Sequence, residues 1–221
     1  MTSATPEPVD NGTETIKSHS RRASKYRVQA GTAYRWWNAL QPTQHEHGTT
    51  PGDRATLARL RRSGNPLALA VEPATADLFR KLQFESAKAS ERSLDRDIAT
   101  AAVLAGILAH IRKPVGGSLA RAMGAKKSDR AVVSAARMKR FMAAREPEDV
   151  LRQYQRILAM LGDAADVRDV AENVLAWLDS SPSGDRARTR FAFAYHGTAL
   201  EDTETLDAEP SSNDTNKRLD P

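Results

Sequence analysis

An all-α fold is what this chain predicts, as two small packed bundles of eight or nine helices between two disordered tails. Three observations carry that reading. The apolar residues between positions 26 and 196 recur at the 3.6-residue period of a helix. No stretch alternates apolar and polar residues over a useful length, as a half-buried strand would. The segments are punctuated by helix signals, with Asp or Pro at their starts and Gly past their ends. No repeat of fixed period appears. With 221 residues and 40% hydrophobic content, the chain is long and apolar enough for a real core.

In chain order, Tyr26–Leu40 is the first helix; its adjacent Trp36 and Trp37 do not share a face, so one enters the core and the other a neighbouring contact. Gln41–Pro51 reads as a loop. Its His45-Glu46-His47 resembles a metal-ligand pair, but residues two apart do not share a helix face and no third ligand is near, so no metal is expected. Asp53–Arg62 is a short helix buried through Leu57 and Leu60, and Ser63-Gly64-Asn65-Pro66 stops it. Pro73–Phe84 is the next, with Leu78, Phe79 and Leu82 inward. Leu94–Ile111, apolar almost all round after Asp97, is the central helix of its bundle. It is too short to span a bilayer.

Gly116-Gly117-Ser118 breaks the chain before a short helix, Leu119–Met123. Two readings stand there: a plain turn, or backbone N–H groups cradling a phosphate. A basic amphipathic helix then opens on Ser128, with Ala131, Ala135, Met138 and Met142 inward and Arg130, Arg137 and Arg140 along another stripe. Glu146–Leu161 is stopped by Gly162 and buries Val150, Tyr154, Ile157, Leu158 and Leu161. Asp166 caps a helix with Val167, Val170, Ala171, Val174, Leu175 and Leu178 inward, and Asp185–His196 is the last.

Charge is distributed unevenly along this frame. Arg112–Arg145 holds ten basic residues and one acid, a local +9 in a chain of formal charge +5. Glu146–Asp179 holds eight acids and three arginines, so the surface is expected to be two-sided. Residues 1–23 read as a neutral disordered tail, and residues 198–221 as an acidic one of net −5 that either solubilises the protein or competes for its basic surface. The division is then 1–23, a bundle over 24–111, a second bundle with the basic linker and helix over 112–197, and 198–221. A polyanion is the partner such a basic helix fits. The candidate nucleic-acid-binding set is Arg54, Arg61, Arg62, Arg112, Lys113, Arg121, Lys126, Lys127, Arg130, Arg137, Lys139 and Arg140. The absence of cysteine removes disulfides, thiolate metal sites and cysteine nucleophiles, and suits a reducing cytoplasm. His110 and His196 have no carboxylate pair or nucleophile placed by spacing, so an enzyme is not expected.

Several segments resemble one family. Trp36-Trp37 with Leu40, then Gly52-Asp53-Arg54-Ala55, Leu57 and Arg61-Arg62, are similar to the opening of CasB, the small subunit of the type I-E CRISPR surveillance complex, Cascade. Gly117-Ser118-Leu119-Ala120 resembles that family's Gly-Leu-Gly segment. Val133–Ala143, with Arg137 and Arg140, resembles its basic helix, and Glu146–Leu161 its Asp-Pro-x-x-Leu helix. Ala171–Leu178 with Trp177, and Arg186–Tyr195, match its last two segments, except that Phe191 stands where the family often has Trp. The segment after Ile98 lacks an expected aromatic. The resemblance spans Tyr26–His196. It implies a helical, non-catalytic cytoplasmic subunit without cofactor. Its partners would be other Cascade subunits, a second copy of itself, crRNA and target DNA including the displaced strand of the R-loop. The alternative is a free-standing DNA-binding transcriptional regulator.

Overall fold

The computed structural model describes residues 26–45, 48–82, 91–127 and 129–197, and the fold is all-α. Both tails assigned from the sequence lie outside these residues, as do Glu46 and His47 of the histidine pair. Helix α1 spans 26–39. Both of its tryptophans are buried at 3% exposure, which corrects the expectation that only one enters the core. The reason is that α1 is covered on two sides. Trp36 Nε1 donates to the Ala74 carbonyl at 3.1 Å, whereas Tyr34, whose ring lies 6.3 Å from Trp37, carries the Arg168 guanidinium over its face.

The expected loop at 41–51 contains a small antiparallel hairpin, β1 (Thr43–His45) with β2 (Gly48–Thr50). Helix α2 (Arg54–Arg62) starts where Asp53 accepts from the Thr56 N–H at 2.9 Å. Hydrogen bonding from the Thr56 side chain, and then from its N–H, holds the Asp53 carboxyl below its ordinary pKa. Leu57 and Leu60 are buried as expected. Next comes a helix not anticipated from the sequence, α3 (Pro66–Ala70), capped by Asn65 and started by Pro66. Helix α4 (Pro73–Leu82) buries Leu78 and Leu82.

Helix α5 (Glu91–His110) is the axis of the molecule. Every residue from Ala101 to Ala109 is buried, and α5 packs on α2, α3 and α4. Gly106 permits a close approach: a Cβ there would stand 2.6 Å from Leu69 Cδ1 and 3.0 Å from Leu151 Cδ1. After α5, β3 (Lys113–Pro114) runs parallel to β6 (Ala164–Ala165), with the Arg112 N–H also donating to the Asp163 carbonyl. Between them lie α6 (Leu119–Gly124), the hairpin β4 (Lys126–Lys127) and β5 (Arg130–Ala131), α7 (Ala135–Ala143) and α8 (Pro147–Met160). Helices α9 (Val167–Trp177) and α10 (Pro182–Tyr195) close the chain. Helix α5 packs on α8 and α9 as well, and the buried side chains from Ala30 to Tyr195 form one cluster. Ten helices are therefore present among the described residues, α3 being the addition.

Under α7 the core is aromatic. The Phe141 ring lies 4.9 Å from Tyr154, 4.5 Å from Trp177 and 5.4 Å from Phe191. Trp177 Nε1 donates to the Ala144 carbonyl at 3.1 Å, fixing the end of α7. Arg188 of α10 is 5% exposed and donates to the Trp177 carbonyl at 2.7 Å and to Asp185 at 2.5 Å. It is a structural cation. No helix among the described residues is long and apolar enough to cross a membrane.

Candidate nucleic-acid interface

The basic stretch does not fold as one helix from Ser128. Lys126 and Lys127 pair with Ala131 and Arg130 across a tight hairpin, with Asp129 in the left-handed region at φ 63°. Asp tolerates that conformation better than most residues. The helix starts only at Ala135, after Ser134. Arg130 thus belongs to a strand rather than to the stripe of Arg137 and Arg140, and Ala135 is exposed. The inward residues of α7 are Met138 and Phe141, with Met142 partly buried against the core.

The opposite face of α7 builds the main feature. Arg137 and Arg140, three apart, lie on one side of the helix and line a groove of about 330 Å³ with Gln153, Arg156, Ile157, Ala159 and Met160 of α8. Arg137 and Arg140 are exposed, as is Arg156, and none of the three makes an ion pair among the described residues. Arg156 was absent from the sequence-derived set. It sits in the net-acidic stretch, and only structure separates its three arginines: Arg152 is neutralised by Glu148 and Asp149, and Arg168 lies over Tyr34. The helix α8 therefore contributes a cation to the basic groove, although its own stretch of sequence is acidic.

A second cluster is the hairpin. Lys126, Lys127 and Arg130 are all exposed, and Lys127 stands directly across from Arg130. Like charges opposed across two strands are destabilising, so this pair favours a bound anion. A third cluster lies at the end of α5. Arg61 Nε donates to the Ala109 carbonyl at 2.5 Å, and Arg112 Nε lies 3.3 Å from Asp163 Oδ2. Burial pulls the Arg61 pKa down, the Arg112 charge adds to this, and Asp163 opposes it. Arg61 is thus partly committed to capping α5, while Lys113 beside it is exposed. Arg54 is exposed in the first turn of α2, where a cation opposes the helix dipole. Exposed Arg62 donates Nε to the Ala58 carbonyl at 3.1 Å. Arg121 on α6 and Lys139 on α7 are exposed, and neither lines the groove.

The phosphate-cradle reading at Gly116-Gly117-Ser118 meets an occupant. The Leu119 N–H donates to Asp169 Oδ2 at 2.7 Å, and Asn173 Nδ2 donates to the same oxygen at 3.1 Å. The head of α6 is satisfied by the protein's own carboxylate. Burial pushes the Asp169 carboxyl up to about 6, the Leu119 N–H opposes this, and the Asp166 and Glu172 charges reinforce it. Burial, reinforced by Asp169, also raises the Tyr154 hydroxyl well above its ordinary range.

The raised Asp169 carboxyl makes stability depend on pH. Between about pH 4 and pH 6 the folded chain keeps a proton on Asp169 that the unfolded chain has released. Its contribution therefore falls as pH rises through that window and is flat above it, a span on the order of 3 kcal/mol. Asp169→Asn keeps an acceptor for Leu119 and removes the titration. The difference in urea unfolding free energy between the two proteins should shift toward the variant from pH 4 to pH 6. A constant difference would place Asp169 in water.

The class defined so far is an all-α protein with a cationic groove, unpaired among the described residues, set on an aromatic core. Residues 56–196 match the family of CRISPR-associated protein Cse2, and the chain belongs to that family, also called CasB, of type I-E Cascade subunits. The match opens at Thr56, so Trp36-Trp37 and Gly52–Ala55 of the noted resemblance precede it. Comparisons with curated proteins and with solved structures found no match.

Proposed function

We propose that the chain is a non-catalytic, cytoplasmic Cascade subunit that binds nucleic-acid backbone, stabilising crRNA–target pairing and the displaced strand of the R-loop, beside a second copy of itself. The observation that carries this is the groove between α7 and α8, where Arg137, Arg140 and Arg156 converge without an acidic partner among the described residues. Guanidinium groups there suit phosphate oxygens bidentately, and the apolar floor of Ile157, Ala159 and Met160 adds no base code. In RNA-guided recognition base pairing reads sequence, and the exchange of duplex for heteroduplex is nearly balanced in energy. Backbone contacts of modest strength then tip it, without sequence preference.

The isolated protein is expected to bind single-stranded oligonucleotides weakly, with steep salt dependence and little sequence preference. Titrations of several unrelated oligonucleotides over a salt series measure this. A footprint confined to one palindromic duplex would instead support a transcriptional regulator.

A further inference from the structure

The C-terminal end of α10 lies against Gly124 and Val133, the residues that flank the basic hairpin. Gly124, two residues before Lys126, packs so closely on α10 that a Cβ there would meet the Tyr195 carbonyl oxygen at 1.9 Å. The Tyr195 hydroxyl donates to the Val133 carbonyl at 2.7 Å, and the Val133 and Val132 N–H groups donate to Met123 and Ala125. The chain therefore leaves α10 beside β4–β5. Beyond Gly197 the sequence continues as residues 198–221, with Glu201, Asp202, Glu204, Asp207, Glu209, Asp214 and Asp220 against Lys217 and Arg218. Four and five residues span at most about 14 and 18 Å, so Glu201 and Asp202 stay close to Gly197 whatever path the chain takes. The hairpin between Gly124 and Val133 is a cationic group close to this exit, and its Lys126, Lys127 and Arg130 are exposed and make no ion pair with any described residue.

We propose that the acidic segment 198–221 binds back onto the β4–β5 hairpin, and that nucleic acid must displace it. The segment acts as a tethered polyanion competing for the same cations. A contact on so short a tether has an effective concentration on the order of millimolar, so even a weak contact is substantially populated. The apparent affinity for nucleic acid is then scaled down by the fraction of hairpin left free. This competition rests on the backbone-binding reading above; the tail–hairpin contact itself does not.

Two experiments separate them. Zero-length carbodiimide coupling of the full chain joins lysine amines to carboxylates in contact. Amide links are expected between Lys126 or Lys127 and acids of 201–209, mapped by peptide mass spectrometry. They should weaken in high salt and with excess single-stranded oligonucleotide. They should vanish in Lys126→Arg/Lys127→Arg, which keeps the charge but does not couple. Truncation after Gly197 is expected to tighten oligonucleotide binding on the order of three- to tenfold at low salt, with the gain lost as salt screens the contact. Tail links distributed over other lysines would overturn the proposal, as would equal affinities of the full and truncated chains at low salt. If neither chain binds any oligonucleotide, the backbone-binding reading fails, and the cross-links alone decide whether the tail docks.

Discussion

Arg137→Ala/Arg140→Ala should cut R-loop formation by the assembled complex about ten- to thirtyfold at moderate salt, with the fold of the subunit intact. That range corresponds to about 1 kcal/mol for each phosphate contact, the average implied by non-specific affinities spread over six to ten contacts. Each lost contact should also lower the slope of log affinity against log salt by about one, so the pair lowers it by about two. Adding Arg156→Ala, across the same groove, should remove one further unit. The loss should be uniform over target sequences, because phosphate contacts position nucleic acid without reading its bases. Stability is expected to change little. All three side chains are exposed without ion pairs among the described residues, and only their stems cover apolar surface. R-loop yield over several targets and salt concentrations measures this. An unchanged slope in the triple variant would make the groove an ordinary solvated surface.

The helical frame was legible where a stripe ran long enough to declare its period. The residues Val167, Val170, Ala171, Val174 and Leu175 of α9 are such a case, and all are buried. Helix α3 was not, because the five residues Pro66–Ala70 complete little more than one turn and carry no period. Segment 126–134 misled for the opposite reason. Ala131 lies four residues before Ala135, and that spacing fits a helix whether or not one forms there. The pairing of Lys126–Lys127 with Arg130–Ala131 is a contact the sequence does not declare. The starting point of the basic cluster was charge density, which located Arg137 and Arg140 but hid Arg156. Summing charge over 146–179 treated its arginines alike, whereas packing pairs Arg152, stacks Arg168 and leaves Arg156 over the groove. Charge counting also could not separate Arg61, held on the Ala109 carbonyl, from exposed Lys113.

Phe141→Ala should be the most destabilising alanine substitution on α7, although it touches no cation. The residue is 1% exposed and its ring meets Tyr154, Trp177 and Phe191 at centroid distances of 4.9, 4.5 and 5.4 Å. Truncating a buried Phe to Ala costs about 3–5 kcal/mol in transfer and cavity terms. Aromatic pairs in such arrangements add to the loss. For a chain of this size each kcal/mol lowers Tm by about 2–4 °C, so a fall of roughly 6–20 °C is expected. Phe141→Leu keeps most of the volume and should lose less than half as much, which protects the test should the Ala variant fail to fold. Met138→Asp, one turn earlier and 4% exposed, places a charge in the same layer and should fail at folding or assembly. The two faces of α7 are then separable: Phe141→Leu moves Tm and leaves the salt slope of the folded protein unchanged, whereas Arg137→Ala/Arg140→Ala does the reverse. A Tm change under about 2 °C for Phe141→Ala would mean that α7 is not anchored by its inner face, since that is less than one kcal/mol at this chain length. The groove could not then hold its three guanidinium groups in register across α7 and α8.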